Sequence, residues 1–309
     1  MILLVRHVTA YRYGRRVELA AHMLHLRPRP LPWQTVISFT LRTDAKQLRL
    51  TESEDHFGNP VSWLFLDAGH TAFEVATEAQ VDVRARAAPD PRSTPAWEHV
   101  AATGQQPRSA GDVAEFAFGS PMAPAIDPAR DWAAASFPPG RPVLSGLLDL
   151  LARMARDFRF QPGVTTVSTS VDRVLELRAG VCQDFAHLMI AGLRALRLPA
   201  RYVSGYVCTQ PPPGMARLRG ADQSHAWVQC WLGPDHGWID LDPTNNLVVG
   251  GEHVWLGWGR DYADVSPVHG VLLGGGRHTL SVSVDIEPQE LEPQELEAQE
   301  GRAPQRMRG

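Results

Sequence analysis

The chain of 309 residues carries a formal charge of −4, with 44% hydrophobic and 21% charged residues, a composition typical of a soluble globular protein with one or two domains. So small a charge gives no reason to expect nucleic acid or an anionic membrane surface as a partner. No apolar run approaches the roughly 18 residues of a membrane helix, and the short apolar start lacks the charge order of a secretory signal.

Three cysteines are too few for a disulfide framework, and their odd number leaves at least one thiol free. No CxxC spacing is present, so we expect no structural zinc site. This cysteine usage predicts a protein of the reducing cytoplasm. We expect no cofactor.

The first part of the chain, residues 1–86, predicts an antiparallel β domain. Segments such as "LLVRHVTAYRY", "QTVISFTLRT" and "TAFEVATEAQVDVRA" alternate or cluster β-forming residues, with turn residues between them. "DHFGNP", from Asp55 to Pro60, is a strong turn signal between two strands. Residues 87–142 are rich in Ala and Pro, which indicates a connecting region with short helices that packs in part on a second domain.

For residues 143–285 the sequence predicts a core in which a helix packs on an antiparallel sheet, followed by further strands late in the chain. Apolar residues at helical spacing indicate a helix from Ser145 to Phe158, and "TSVDRVLEL" opens with a capping-box pattern at Thr169. Another helix begins at Cys182, and strands follow in "LPARYVSGYVC", "HAWVQCWL" and "GWIDLDP". The resulting fold class is α+β. Late strands are predicted in "EHVWLGWGRDY" and "RHTLSVSVDIEP". An acidic disordered tail is predicted over residues 286–309.

Cys182 lies where a reactive thiol is expected, because free N–H groups and the dipole at a helix N-terminus lower a thiol pKa. A cysteine at a helix start is also a common packing residue, so this position alone leaves both interpretations open. Cys208 and Cys230 lie in strands beside apolar neighbours, and we interpret them as packing residues.

A general base is available in His225, at the start of the strand "SHAWVQCW". If the next strand pairs with it, a carboxylate there approaches the imidazole and can accept its Nδ1–H. Asp240 and Asp242 share one face of that next strand, so strand alternation leaves both open. Asp184 and His187 lie three apart on the Cys182 helix, but no third ligand accompanies them, and we expect no metal site.

"GVCQDFAH", "SHAW" and "GWIDLDPTN" resemble the Cys, His and Asp boxes of the transglutaminase-like, papain-related superfamily. "RHVTAYRY", "DHFGNPV" and "GRDYADVSPVHGV" are similar to the flanking regions of its bacterial members, which carry an N-terminal β domain. The resemblance implies a catalytic triad of Cys182, His225 and Asp242, since Asp242 matches the family's W-x-x-x-D spacing from Trp238. It implies a cysteine-dependent peptidase, amidase or acyltransferase whose substrate is a peptide or protein amide.

Three further residues are candidates near the triad. Gln183 is a candidate oxyanion donor beside the backbone N–H of Cys182, and Tyr206 and Trp227 are candidates for the lining of an acyl channel. Each also has a structural interpretation, as a polar helix residue or as core aromatics.

Two other functions are open to a chain of this pattern. One is a peptide:N-glycanase-like glycoamidase, although the relatives of that enzyme carry additional zinc-binding cysteines, which this chain lacks. The other is a non-catalytic scaffold that binds a partner through the β domain. A scaffold has no physical need for Cys, His and Asp together, so we rank the enzyme first.

Overall fold

The computed structural model describes residues 1–45, 48–106, 113–208 and 224–289. Its helices are α1 (Trp97–Thr103), α2 (Asp127–Ala134), α3 (Val143–Asp157), α4 (Val171–Leu177) and α5 (Cys182–Ala195). Its strands are β1 (Ile2–Leu24), β2 (Gln34–Thr43), β3 (Leu48–Glu54), β4 (Pro60–Leu66), β5 (His70–Val83), β6 (Arg159–Phe160), β7 (Ala179–Gly180), β8 (Ala200–Val207), β9 (Ser224–Trp231), β10 (Trp238–Asp242), β11 (Leu247–Val248), β12 (His253–Gly259), β13 (Val268–Gly274) and β14 (His278–Gln289). Among the described helices, none is long and apolar enough to cross a membrane.

The N-terminal β domain is an antiparallel sheet built around the long strand β1. Its strand order is β2-β5-β1-β4-β3, and β13 and β14 also pair with β1. The first half of β1 lies between β5 and β14, and its second half pairs with β4 and β13. The mixed, mostly antiparallel architecture confirms the predicted α+β class.

Of the two predicted late strands, the first is β12, which lies in the sheet of the second part, whereas the second, β14, belongs to the N-terminal sheet. β14 pairs with β1 from Ile2 opposite Gln289 to Tyr13 opposite His278. Val284 and Ile286 are fully buried there, so the predicted disordered tail begins too early. The pairing joins strands that lie far apart in the sequence, and no local pattern reveals such a partner. The remainder of the predicted tail, residues 290–309, lies outside the described residues.

The second part of the chain packs α5 on a five-stranded sheet of order β11-β10-β9-β8-β12. The apolar side of α5 lies in one hydrophobic cluster with α3, with α2 of the connecting region and with the inner face of the sheet. Its members include Leu188, Leu193, Trp132, Leu147 and Val228, all buried. Because burial of such side chains is the main driving force for helix packing, this cluster fixes the position of α5 and of its first residue.

The segment before α5 differs in detail from the predicted capping pattern. Ser170, and not Thr169, caps α4, because its side chain accepts the N–H of Arg173 at 3.4 Å. α4 ends at Leu177, and Arg178 adopts the left-handed conformation with φ of 50°. Gly180 lies in the short strand β7, where a Cβ would come within 2.7 Å of the carboxylate of Asp184. A glycine is therefore required there by the close approach of that side chain.

The two parts of the chain share a hydrophobic cluster. Buried residues of the N-terminal sheet, such as Val81 and Ile286, pack with Val203, Trp227 and Trp255 of the second sheet. Side-chain amides also join the two parts, since Gln34 donates to the carbonyl and accepts from the N–H of Trp255, at 2.8 and 2.9 Å. The N-terminal sheet thus binds β12, a strand that contributes to the candidate site.

Candidate active site

Cys182 is the first residue of α5 and is half-buried, with its thiol free. The helix begins there because Val181 is extended and the Asp184 carboxylate accepts the N–H of Val181 at 2.8 Å. The same carboxylate oxygen accepts the hydroxyl of Thr165 at 2.7 Å. The backbone N–H groups of the first turn have no intrahelical acceptor, so they are available near the sulfur to stabilise negative charge.

His225 lies near the start of β9, and Asp242 ends the paired strand β10. The β9–β10 ladder runs from Trp238 opposite Trp231 to Leu241 opposite Val228, which brings the two side chains close across the strands. Nε2 of His225 lies 2.7 Å from Oδ2 of Asp242. The expected contact through Nδ1 is wrong, because Nε2 is the ring nitrogen that faces the carboxylate in this structure.

Asp242 is completely buried and accepts several hydrogen bonds. Oδ1 accepts the backbone N–H groups of Thr244 and Asn245 at 2.9 and 3.1 Å. Oδ2 accepts the side-chain amide of Asn245 at 2.7 Å and faces Nε2 of His253 at 3.1 Å, in addition to His225. A buried carboxylate held on both oxygens is fixed in orientation and stays ionised.

The electrostatics of the pair follow from these contacts. Burial alone lowers the pKa of His225, but the hydrogen bonds with Asp242 and Cys182 and the charge of Asp242 outweigh it and raise that pKa to about 10. Burial alone raises the pKa of Asp242, but the hydrogen bonds from His225 and His253 hold it well below its usual range. The raised pKa favours the imidazolium form of His225 at neutral pH.

Asp240, which strand alternation left as the competing carboxylate, has other partners. Its Oδ1 accepts the indole N–H groups of Trp227 and Trp255, each at 2.8 Å. Its Oδ2 accepts from Arg86 at 3.0 Å. The structure therefore places Asp242, and not Asp240, against His225.

Two of the three candidates around the triad lie in the hydrophobic core. Tyr206 is buried, and its hydroxyl contacts Nδ1 of His7 in the N-terminal domain at 2.9 Å. Trp227 is completely buried, and its ring stacks near His225 with centroids 6.2 Å apart. This burial favours their interpretation as core aromatics. Gln183 adjoins Cys182, but its amide donates to the carbonyl of Val167 at 3.0 Å, which turns it away from an oxyanion role.

Asp184 and His187 are not brought together as ligands. Asp184 is used at the start of α5, and Nε2 of His187 accepts the backbone N–H of Tyr262 at 3.2 Å. Three potential ligands do converge elsewhere among the described residues, namely His225, Asp242 and His253. Both imidazoles face one carboxylate oxygen of Asp242 at hydrogen-bond distances in this structure.

His253 is the site residue that the sequence reasoning missed. It begins β12, is buried, and faces the same oxygen of Asp242 that His225 reaches from β9. A signal was present, because "SHAW" and "EHVW" both start a strand with the pattern His-x-Trp. The histidines of both patterns meet Asp242, and the tryptophans of both meet Asp240.

Comparison with known proteins supports one family for both parts of the chain. The profile of the bacterial transglutaminase-like N-terminal region matches residues 3–82, and that of the transglutaminase-like superfamily matches residues 141–243. An uncharacterized protein of Mycobacterium tuberculosis is 38% identical over 260 residues, which cover 81% of each chain. Another from Mycobacterium leprae is 31% identical over 251 residues, covering 81% of this chain and 85% of the relative.

Two further comparisons concern proteins whose descriptions name a class of enzyme. A protein-glutamine gamma-glutamyltransferase of Pseudomonas aeruginosa is 32% identical over 139 residues, 38% of this chain and 21% of that protein. The crystal structure of a candidate cysteine protease from Cytophaga hutchinsonii aligns with a TM-score of 0.71 and 22% identity over 95% of this chain and 93% of that chain, which shows a common fold. The chain belongs to the transglutaminase-like superfamily and carries the N-terminal region of its bacterial members.

Proposed function

We propose that the chain is a cysteine-dependent enzyme that cleaves an amide of a peptide or protein through an acyl-enzyme. The observation that carries the proposal is the position of His225, whose Nε2 lies 2.7 Å from the buried carboxylate of Asp242. Asp242 and Cys182 together raise the pKa of this imidazole. In this assignment Cys182 is the nucleophile, His225 the general acid and base, and Asp242 the group that orients the imidazole.

The first half of the reaction forms a thioester. The Cys182 thiolate attacks the amide carbonyl carbon, and the carbonyl electrons move to oxygen, where the N–H groups at the start of α5 stabilise the oxyanion. When the C–N bond breaks, His225 transfers its proton to the departing amine. Asp242 stabilises the imidazolium before this transfer and keeps the ring aligned after it.

The second half depends on the acceptor. His225 removes a proton from water or from an amine, which attacks the thioester and releases the Cys182 thiolate. Water gives hydrolysis and an amine gives transamidation, with the same three residues in both cases. The partial similarity to a gamma-glutamyltransferase and the shared fold with a candidate cysteine protease support acyl chemistry at this site without favouring either acceptor.

The compartment of the protein is part of the proposal. In the described part of the chain none of the three cysteines forms a disulfide, and two of them are buried, which is compatible with the reducing cytoplasm predicted from cysteine usage. The partner that we propose is a peptide or protein amide. The small net charge gives no reason to propose nucleic acid or a membrane surface.

Trapping of the acyl-enzyme tests this function. The purified chain is treated with p-nitrophenyl acetate at neutral pH, and acetylation of each cysteine is measured by mass spectrometry. We expect a thioester on Cys182 that decays in water, and faster decay with a product amide when a primary amine is added. The Cys182→Ser variant retains Cys208 and Cys230 as internal controls and should show no thioester. Acetylation that is equal in His225→Ala and in the unmodified sequence would overturn the proposal.

A further inference from the structure

The structure holds a second histidine against the carboxylate of the proposed triad. Nε2 of His253 lies 3.1 Å from Oδ2 of Asp242, the same oxygen that faces Nε2 of His225 at 2.7 Å. His253 is only 2% exposed, and its ring centroid lies 6.0 Å from that of His225. The two imidazoles therefore contact one carboxylate but reach it from different strands.

The direction of this hydrogen bond follows from its acceptor. A carboxylate held by five contacts is ionised and can only accept, so Nε2 of His253 carries the proton and donates it. Nδ1 of His253 is buried and has no hydrogen-bond partner in the described part of the chain. The ring therefore makes one hydrogen bond, directed at Asp242, and no observed contact gives it another polar role.

The strand that carries His253 is held in place from outside the core. Gln34 makes two hydrogen bonds to the backbone of Trp255, and Asn59 makes two to the backbone of Trp258, at 2.8 and 2.9 Å. Both amides come from the N-terminal part of the chain. β12 is thus fixed on its outer side, so the donor on His253 has a defined position relative to Asp242.

We propose that His253 is a positioning residue, which holds the Asp242 carboxylate in the orientation that aligns His225 with Cys182. The inference rests on the proposed function, because it assigns a role within the same site. His253 contacts neither the thiol nor a substrate in this account, and it acts through Asp242. Loss of its N–H leaves Oδ2 of Asp242 with His225 and Asn245 as donors, and the carboxylate less constrained.

Two substitutions separate hydrogen bonding from packing. His253→Ala removes the ring and its donor, whereas His253→Gln can keep an N–H near the position of Nε2. Trp255→Phe is the matched control. It removes a hydrogen bond that the same strand donates to Asp240, and leaves the contacts of Asp242 in place. The readout is the rate constant of Cys182 alkylation by iodoacetamide between pH 5 and pH 10, together with the thermal unfolding temperature.

We expect His253→Ala to lower the alkylation rate constant at pH 6 by about tenfold and to raise the midpoint of the pH profile by about one unit. His253→Gln should restore most of the rate, and Trp255→Phe should lower the unfolding temperature without moving the midpoint. Equal midpoints in the original sequence and in folded His253→Ala would overturn the positioning role.

A shift of equal size in Trp255→Phe, or an absence of rescue by His253→Gln, would also overturn it, because either result assigns the effect to packing of β12. If His253→Ala does not fold, His253→Gln should keep the midpoint of the original sequence, and a midpoint raised by about one unit in that variant would overturn the positioning role. An ordinary profile in the original sequence itself would instead contradict the proposed function.

Discussion

Asp242 is the residue on which the geometry of the site depends most. It has no exposed surface and connects two histidines, a side-chain amide and two backbone N–H groups. The residue types and order of the triad are readable from the three sequence boxes. The ring nitrogen of His225 that faces Asp242 cannot be read from these boxes, because it depends on how the imidazole is packed in the folded chain.

The shifted pKa values of this pair predict a pH window for its contribution to stability. The pKa of Asp242 lies below its ordinary value of 3.8, so its stabilisation is complete above pH 3.8 and is lost as the pH falls further. The pKa of His225 is raised from 6.5 to about 10, so its stabilisation is complete below pH 6.5 and is lost as the pH rises towards 10.

Asp242→Asn should therefore lower the free energy of unfolding by about 2 kcal/mol or more between pH 4 and pH 6.5, and by less on either side of that window. Urea unfolding across this pH range measures the difference. Asp240→Asn is the matched control, because Asp240 is a buried carboxylate on the same strand that binds indole N–H groups and Arg86 instead of histidine. Its loss of unfolding free energy should therefore not change between pH 6.5 and pH 10. If the loss of unfolding free energy in Asp242→Asn is constant from pH 6.5 to pH 10, the assigned coupling between Asp242 and His225 is contradicted.

Among the elements, β8 lies between β9 and β12, the two strands that carry the His-x-Trp pattern. Gly205 pairs with His225 of β9 on one side and with Trp255 of β12 on the other. A Cβ at this glycine would collide with the carbonyl oxygen of Val254 and with the ring of Trp227. The missing side chain thus lets residues of strands that are not neighbours in the sheet approach Asp240 and Asp242 together.

Gly205→Ala should lower the free energy of unfolding by about 1–3 kcal/mol, because the added methyl group overpacks the sheet, and should also slow alkylation of Cys182. Gly250→Ala is the control, since a Cβ there meets no atom within 4 Å. Thermal unfolding and alkylation of both variants make the comparison. If Gly205→Ala matches Gly250→Ala in both measurements, the close packing across β8 does not support the site.

The elements themselves were largely predictable and their pairing was not. The spacing of apolar residues indicates α3 and α5, and alternation indicates β8, β9 and β10, because these patterns are local. The partners of β12, β13 and β14 lie far away in the chain, and a strand pattern does not name its neighbour. His253 was missed for this reason, since its role depends on where β12 is placed.

At the scale of the whole molecule, the N-terminal domain is part of the structure that supports the site. Its sheet shares a hydrophobic cluster with β8, β9 and β12, and Tyr206 contacts His7 across the same boundary. Gln34 and Asn59 bind the backbone of β12 directly. The sequence indicates two successive parts, but the structure joins them through one core, with β14 returning to pair with β1.

The central claim is that Cys182 and His225 act as a pair. Its most direct test is the pH dependence of alkylation at each cysteine, measured by mass spectrometry with limiting iodoacetamide in the original sequence and in His225→Ala. We predict that Cys182 reacts well below pH 8.5, the approximate pKa of a free thiol, ahead of Cys208 and Cys230, and that His225→Ala removes this advantage. An accessible Cys182 that reacts as an ordinary thiol in both proteins would contradict the account and favour a non-catalytic scaffold.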